Sequence, residues 1–198
     1  MNPYEIDLRK KYSGNINFDK NILFIHVPKC CGNFIKKSIG GFKGDSHAKC
    51  SDFPDTLYEK MFSFSFVRNP WSRVLSAYNY LLKGGNGSDY DLKSKENFLS
   101  QYKSFEEFVL NGLYLSSLSQ AHFLPQSYFL DKSLNYIGKC ENLKYESKML
   151  PRIFGESFDS NSVKQISNDS YRQFYTDKMS EIVSEIYKKD LLKLIYSY

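Results

Sequence analysis

The stretch ILFIHVPKCCGNFIKKSIGG, residues 22–41, decides the fold. Ile22-Leu23-Phe24-Ile25 is apolar at consecutive positions. That predicts a strand over 21–27 buried on both faces, as in the middle of a parallel sheet. Phe34-Ile35-Lys36-Lys37-Ser38-Ile39 predicts a helix over 33–39, ended by Gly40-Gly41. Strand, short turn and helix together make an anion site, because the amides that open the helix point at the turn and its dipole adds attraction. Lys29 puts a cation in this turn, and Gly32 lets the backbone approach closely. The Gly-Lys-Ser/Thr ending of a nucleotide-triphosphate loop is absent.

A second stretch repeats the pattern. MFSFSFV, residues 61–67, predicts a strand in which Phe alternates with Ser before it turns apolar. Arg68-Asn69-Pro70-Trp71 follows, with Asn69 suited to an N-cap and Pro70 to the first helical position. Val74, Leu75, Tyr78, Leu81 and Leu82 predict one apolar helix face. Arg68 thus stands beyond a strand end, where ligands sit in parallel sheets, and offers a planar fork suited to phosphate. Ser76, two turns into the helix, adds a hydroxyl. Two anion sites on neighbouring strands fit a nucleotide with phosphates at both ends.

The remaining segments agree with an α/β class, a central parallel sheet flanked by helices. Residues 83–97, KGGNGSDYDLKSKEN, are polar and glycine-rich and predict a surface loop. Ser104 and Glu107 form a capping box for a helix through about Leu110. Residues 134–138 predict a short strand, and Asn142 a helix over 143–154, interrupted at Pro151. Thr176 caps a last long helix with Met179, Ile182, Val183, Ile186 and Tyr187 on one face. No internal repeat or domain boundary is visible, so 1–198 reads as a single domain.

Composition narrows the function. The 198 residues include 16 Tyr and 16 Phe, which excludes a disordered chain. A net charge of +5 favours anionic ligands but lacks the density and the like-charge blocks of a nucleic-acid binder. The N-terminus has no apolar signal region, and no run is long enough to span a membrane, so a cytoplasmic location is expected. Cys30, Cys31, Cys50 and Cys140 do not have zinc-site spacing and read as reduced thiols.

LFIHVPKCCGNFIKKSI followed by FSFVRNPWSRVLSAYNYL resembles the two cofactor motifs of the sulfotransferases, with the carbohydrate sulfotransferases and their short bacterial relatives as the nearest group. The resemblance continues through HFLPQSYFL (122–130), YIGKCENL (136–143) and SYRQFYTDKMSEIVSEIYKKDL (170–191), in order across most of the chain. It implies a P-loop-like sulfotransferase fold and 3′-phosphoadenosine 5′-phosphosulfate (PAPS) as donor, with PAP as product and no metal. It implies that Lys29, Cys30, Cys31, Gly32, Asn33 and Phe34 cradle the 5′-phosphosulfate. Arg68 and Ser76 then hold the 3′-phosphate. The second motif is complete from Arg68 to Tyr78. The first departs from the family pattern: Cys30, Cys31, Asn33 and Phe34 stand where Thr, a small residue, Thr and Ser are usual. Thiols are weak donors, so backbone amides and the Asn33 amide must replace those hydroxyls.

The chemistry needs a cation on the departing phosphate and a base for the acceptor hydroxyl. The resemblance assigns the first to Lys29. For the second, His47 lies between the motifs, where uronosyl-type relatives carry a histidine base, and a neutral imidazole suits the task. Glu59 or Asp45 is the fallback. His26 reads as a packed strand residue and His122 as structural. Trp71 and Tyr78 read as core, and Glu141 as orienting the helix start after it. Tyr171 and Arg172 are either a cofactor-closing segment or a surface turn. The acceptor is a hydroxyl compound, with carbohydrate the expected class. Two alternatives stand beside this reading. A P-loop kinase or hydrolase lacks its signature here and a magnesium-binding Asp after the second strand. A catalytically inactive sulfotransferase-like protein that binds glycan or PAP is kept open by the altered turn.

Overall fold

The computed structural model describes residues 11–44, 46–150, 153, 155 and 170–198. In chain order the described strands are β1 (Ile16–Asn17), β2 (Ile22–Ile25), β3 (Phe62–Val67) and β4 (Tyr136–Lys139). The helices are α1 (Gly32–Ile39), α2 (Asp55–Lys60), α3 (Pro70–Leu82), α4 (Asp89–Ser94), α5 (Phe105–Asn111), α6 (Leu113–Ser119), α7 (Gln126–Phe129), α8 (Leu143–Met149), α9 (Asp177–Ile186) and α10 (Lys188–Leu194). The chain forms two compact units: Met1–Val67 with Tyr128–Ile166, and Arg68–Ser127 with Ser167–Tyr198. No helix among the described residues is long and apolar enough to cross a membrane.

The first unit holds the sheet, in the order β1-β2-β3-β4. The pairs β2–β3 and β3–β4 are parallel, and β1 adds an antiparallel edge absent from the sequence reading. β2 is buried at every residue, as its unbroken apolar run requires. Phe24 pairs in register with Phe64, their rings 4.9 Å apart. The Phe/Ser alternation of β3 does not separate core from solvent, because Ser63 and Ser65 are buried too. Their hydroxyls are satisfied inside: Ser65 donates to Ile25 O (2.7 Å) and Ser63 to Asn135 Oδ1 (3.0 Å). Gly40 ends α1 with φ 72°, and its carbonyl accepts from Asn17 Nδ2 at 2.9 Å.

The second unit is helical. Asn69 caps α3 by accepting from the Ser72 amide (3.2 Å), and Pro70 opens the helix. Val74, Leu75, Tyr78 and Leu81 enter the core with Phe108, Phe123, Met179 and Val183. Leu82 instead faces solvent, 46% exposed. The expected loop at 83–97 is a loop over 83–88 and then helical, as α4 and a following π-helical turn. Its organiser is Asp91, 3% exposed, which accepts from Tyr80 OH (2.7 Å) and the Asn86 amide (3.0 Å) while Ser88 caps the helix. The expected last helix is two, α9 and α10, meeting at Tyr187. Tyr187 OH donates to Phe123 O (2.7 Å), so the junction is held from the core. Thr176 caps α9 as expected. The expected helix 143–154 is described only as far as Met149, and Asn142 lends it no side-chain cap; Pro151 lies outside the described residues.

Candidate active site

In the first unit the turn after β2 carries backbone conformations that L-residues avoid. Lys29 has φ 66° and Cys31 φ 60°. Each left-handed non-glycine residue costs about 1 kcal/mol or more, and such residues persist where the surrounding fold imposes them, often at ligand clamps. Left-handed residues in a tight turn aim successive N–H groups into one concavity, the geometry that receives an anion. Cys31 is the N-cap of α1 yet makes no side-chain cap bond, and no acidic residue lies in the first turn. Lys36 and Lys37 occupy the last turn, so the helix dipole is complemented at one end and left to attract an anion at the other. Lys29 is half-buried in this turn, Cys30 and Gly32 are buried, and Asn33 is exposed.

Gly32 has a packing reason to be glycine. A Cβ there would stand 1.8 Å from His26 Nε2. His26 is 4% exposed, and its ring lies 4.4 Å from that of His47. His47 Nδ1 is 3.0 Å from the His26 carbonyl oxygen. A carbonyl only accepts, so Nδ1 carries the proton and the lone pair of the neutral ring is on Nε2. His47 is therefore in the tautomer a base needs, and its backbone partner is the residue against which the turn packs. Glu59 is exposed on α2, and Asp45 lies outside the described residues.

In the second unit Arg68 is seated by Gln126. The Arg68 amide donates to Gln126 Oε1 (2.9 Å), and Gln126 Nε2 donates back to Arg68 O (2.8 Å). Gln126 is fully buried. The carboxylate of buried Asp190 accepts from the amides of Gln126 (2.6 Å) and Ser127 (2.8 Å) at the start of α7. Arg68 Nε donates to Ser72 Oγ at 2.9 Å, which directs the guanidinium along α3. Ser76, half-buried, comes one turn further on the same face. Arg73, the other arginine of the motif, is 1% exposed and donates to Leu124 O (2.9 Å), a structural task.

The structure thus brings Lys29, Cys30, Cys31, Gly32, Asn33 and Phe34 into one turn with His47 behind it in the first unit. It lines Arg68 with Ser72 and Ser76 in the second. Trp71 and Tyr78 are core residues, and Trp71 Nε1 donates to Ser180 O (3.1 Å). His122 lies 3.7 Å from Asp91, inside the network that orders α4. Tyr171 is core, its hydroxyl accepting from Asn69 Nδ2 (3.2 Å), and Arg172 stacks over the Tyr198 ring at 4.7 Å. Glu141 lines a shallow cleft with Asn142, Lys144, Tyr145 and Lys148, which no motif residue shares. Sequence reasoning missed Gln126. The segment HFLPQSYFL contained Gln126, but nothing local marks a glutamine as the seat of an arginine 58 residues away.

The chain matches the family model described as the Sulfotransferase family over residues 15–198. That span takes in every element described above. The chain belongs to the sulfotransferase family. Sulfonate transfer to an acceptor hydroxyl is that family's chemistry, and PAPS is generally its donor. No curated protein matches the chain.

Proposed function

We propose that the protein transfers the sulfonate of PAPS to a hydroxyl group of a carbohydrate, with both units acting as one sulfotransferase domain. The observation that carries the reading is the paired left-handed conformation of Lys29 and Cys31 ahead of an uncapped helix. It supports a backbone-lined anion seat that does not depend on the missing threonine hydroxyls. When bound, PAPS supplies an activated sulfonate on a phosphate leaving group. The amides of Cys31 to Phe34 face its 5′ end, and Lys29 Nζ neutralises charge on the departing oxygen. Arg68, with Ser76, takes the 3′-phosphate by charge-assisted hydrogen bonds. His47 Nε2 accepts the proton of the acceptor hydroxyl as it attacks the sulfur in line. The net charge of +5 suits an acceptor that is itself anionic.

The test is calorimetric titration with PAP, with and without magnesium, on the wild type, Lys29→Ala and Arg68→Ala, followed by turnover of His47→Ala. Magnesium-independent PAP binding that Arg68→Ala weakens about 10- to 100-fold is expected, from loss of a charged hydrogen-bonding group. His47→Ala should bind PAP normally and lose about 100-fold or more in kcat. Failure of the wild type to bind PAP overturns the reading. Binding without turnover on any glycan would leave the non-catalytic alternative.

A further inference from the structure

β2, β3 and β4 run parallel, so β4 ends at the same edge of the sheet as β2. β3 stands between them, which sets the two strands roughly 10 Å apart. From that edge the chain passes through Cys140–Asn142 into α8. Glu146 fixes α8 from beneath. Its carboxylate accepts from Tyr136 OH (2.7 Å) and from the Lys139 amide (2.8 Å). A Cβ at Gly138 would stand 2.1 Å from Glu146 Oε2, so the glycine of β4 makes room for this anchor. Leu143, Glu146 and Ser147 are buried, which leaves Lys144, Tyr145 and Lys148 on the open face of the helix. These three line a cleft of about 310 Å³ together with Glu141 and Asn142.

The open face does little for the fold. Like charges four residues apart on a helix repel, and among the described residues neither Lys144 nor Lys148 pairs with a carboxylate. Tyr145 is 66% exposed, although its ring could bury a large apolar area. We propose that this cleft seats an acidic sugar unit, with Tyr145 against the ring, Lys144 and Lys148 on its carboxylate or sulfate, and Glu141 and Asn142 on its hydroxyls. The lining selects that class. A tyrosine ring covers the apolar face of a sugar and leaves its own hydroxyl wet. A carboxylate accepts from hydroxyls, and an amide both donates and accepts. Two ammonium groups give one acid group charge-assisted hydrogen bonds. Glu141 opposes a polyphosphate, since it leaves the lining only one positive charge in excess. The volume lies at the lower end of ligand clefts, about 300–1,000 Å³, which suits one unit of a longer glycan. That the sugar belongs to the acceptor rests on the proposed sulfonate transfer to carbohydrate; its binding does not. On that reading the seat shares a sheet edge with the Lys29 turn and selects an acidic glycan over a neutral one.

The experiment titrates the full chain by calorimetry with three tetrasaccharides: hyaluronan, acidic through carboxylates, κ-carrageenan, acidic through sulfates, and neutral maltotetraose. At least one acidic probe should bind about 10-fold or more tighter than the neutral one, and its affinity should fall as sodium chloride is raised. Binding of hyaluronan alone assigns the lysines a carboxylate, and binding of carrageenan alone a sulfate ester. The double variant Lys144→Gln, Lys148→Gln should weaken the acidic probe about 10- to 100-fold and flatten its salt dependence. Tyr145→Ala should weaken it about 10-fold. All three side chains are exposed, so the variants keep the fold, which circular dichroism checks. Failure of both acidic probes to bind the wild type overturns the proposal. So do equal affinities for acidic and neutral probes, variants that bind like the wild type, or displacement of the sugar by PAP. Sugar binding lost in the variants, in a protein that never binds PAP, would sustain the sugar seat and overturn the functional reading. PAP binding beside a cleft that takes no acidic sugar would do the reverse.

Discussion

Gly32→Ala asks whether the turn is held by the imidazole behind it. A Cβ at Gly32 would lie 1.8 Å from His26 Nε2 and 1.9 Å from Cδ2, against 3.4 Å for ordinary contact. The ring or the start of α1 must therefore move by roughly 1.5 Å. The ring has little room, being stacked on Phe24 at 5.6 Å and set against the His47 ring at 4.4 Å. Alanine in a helix normally gains up to about 1 kcal/mol over glycine. Overpacking of a rigid site costs about 1–3 kcal/mol and wins here, because both faces of the contact are buried. The net expectation is a loss of about 1–2 kcal/mol, lowering Tm by about 2–8 °C for a chain of this length. Urea unfolding followed by circular dichroism measures it. His26→Ala opens the space, so the double mutant should recover about 1 kcal/mol relative to additivity. A Gly32→Ala protein as stable as the wild type, or a cycle that closes additively, would refute the packing argument.

Other consequences follow from the same contacts. Gln126→Leu leaves the Arg68 amide and carbonyl without their buried partner, so stability should fall by about 2–4 kcal/mol and PAP affinity with it; calorimetry on the refolded variant separates the two. Asp91→Ala removes the acceptor of Tyr80 and Asn86, and trypsin should then cut at Lys83 and Lys93 several-fold faster than in the wild type. Burial, first among the causes, pushes the phenols of Tyr58, Tyr136, Tyr175 and Tyr187 well above their ordinary value. Each is fully protonated and stabilising below about pH 10, and its contribution is lost as pH rises further. In an alkaline absorbance titration these four should stay silent until the protein unfolds, while exposed tyrosines ionise first. Simultaneous titration of all tyrosines below the unfolding transition would contradict the burial.

Much of this was legible in the chain. Asn69 and Pro70 announced α3, Thr176 announced α9, and the apolar run at Ile22–Ile25 announced a central strand. Each rests on a periodicity or a cap spanning a few residues. The 83–97 segment is a loop only as far as 88, and its helical second part was not legible because glycines and charges dominate the composition, although Ser88 and Asp91 carry an N-cap spacing. The apolar face through Tyr187 belongs to α9, and the separate α10 was not legible because the backbone departs from helical geometry at Tyr187 (φ −103°, ψ 21°) without any glycine or proline to mark it.

The amino-acid sequence by itself determined the α/β class, the two strand–turn–helix stretches and the residues proposed to meet an anion in each, because local sterics, capping and hydrophobic period act over about ten residues or fewer. Tertiary structure alone decided what holds them. His47 finds the His26 carbonyl 21 residues away, and Gln126 seats Arg68 across 58. Such partners are chosen by which groups are buried together and must satisfy one another, and no local pattern encodes that choice.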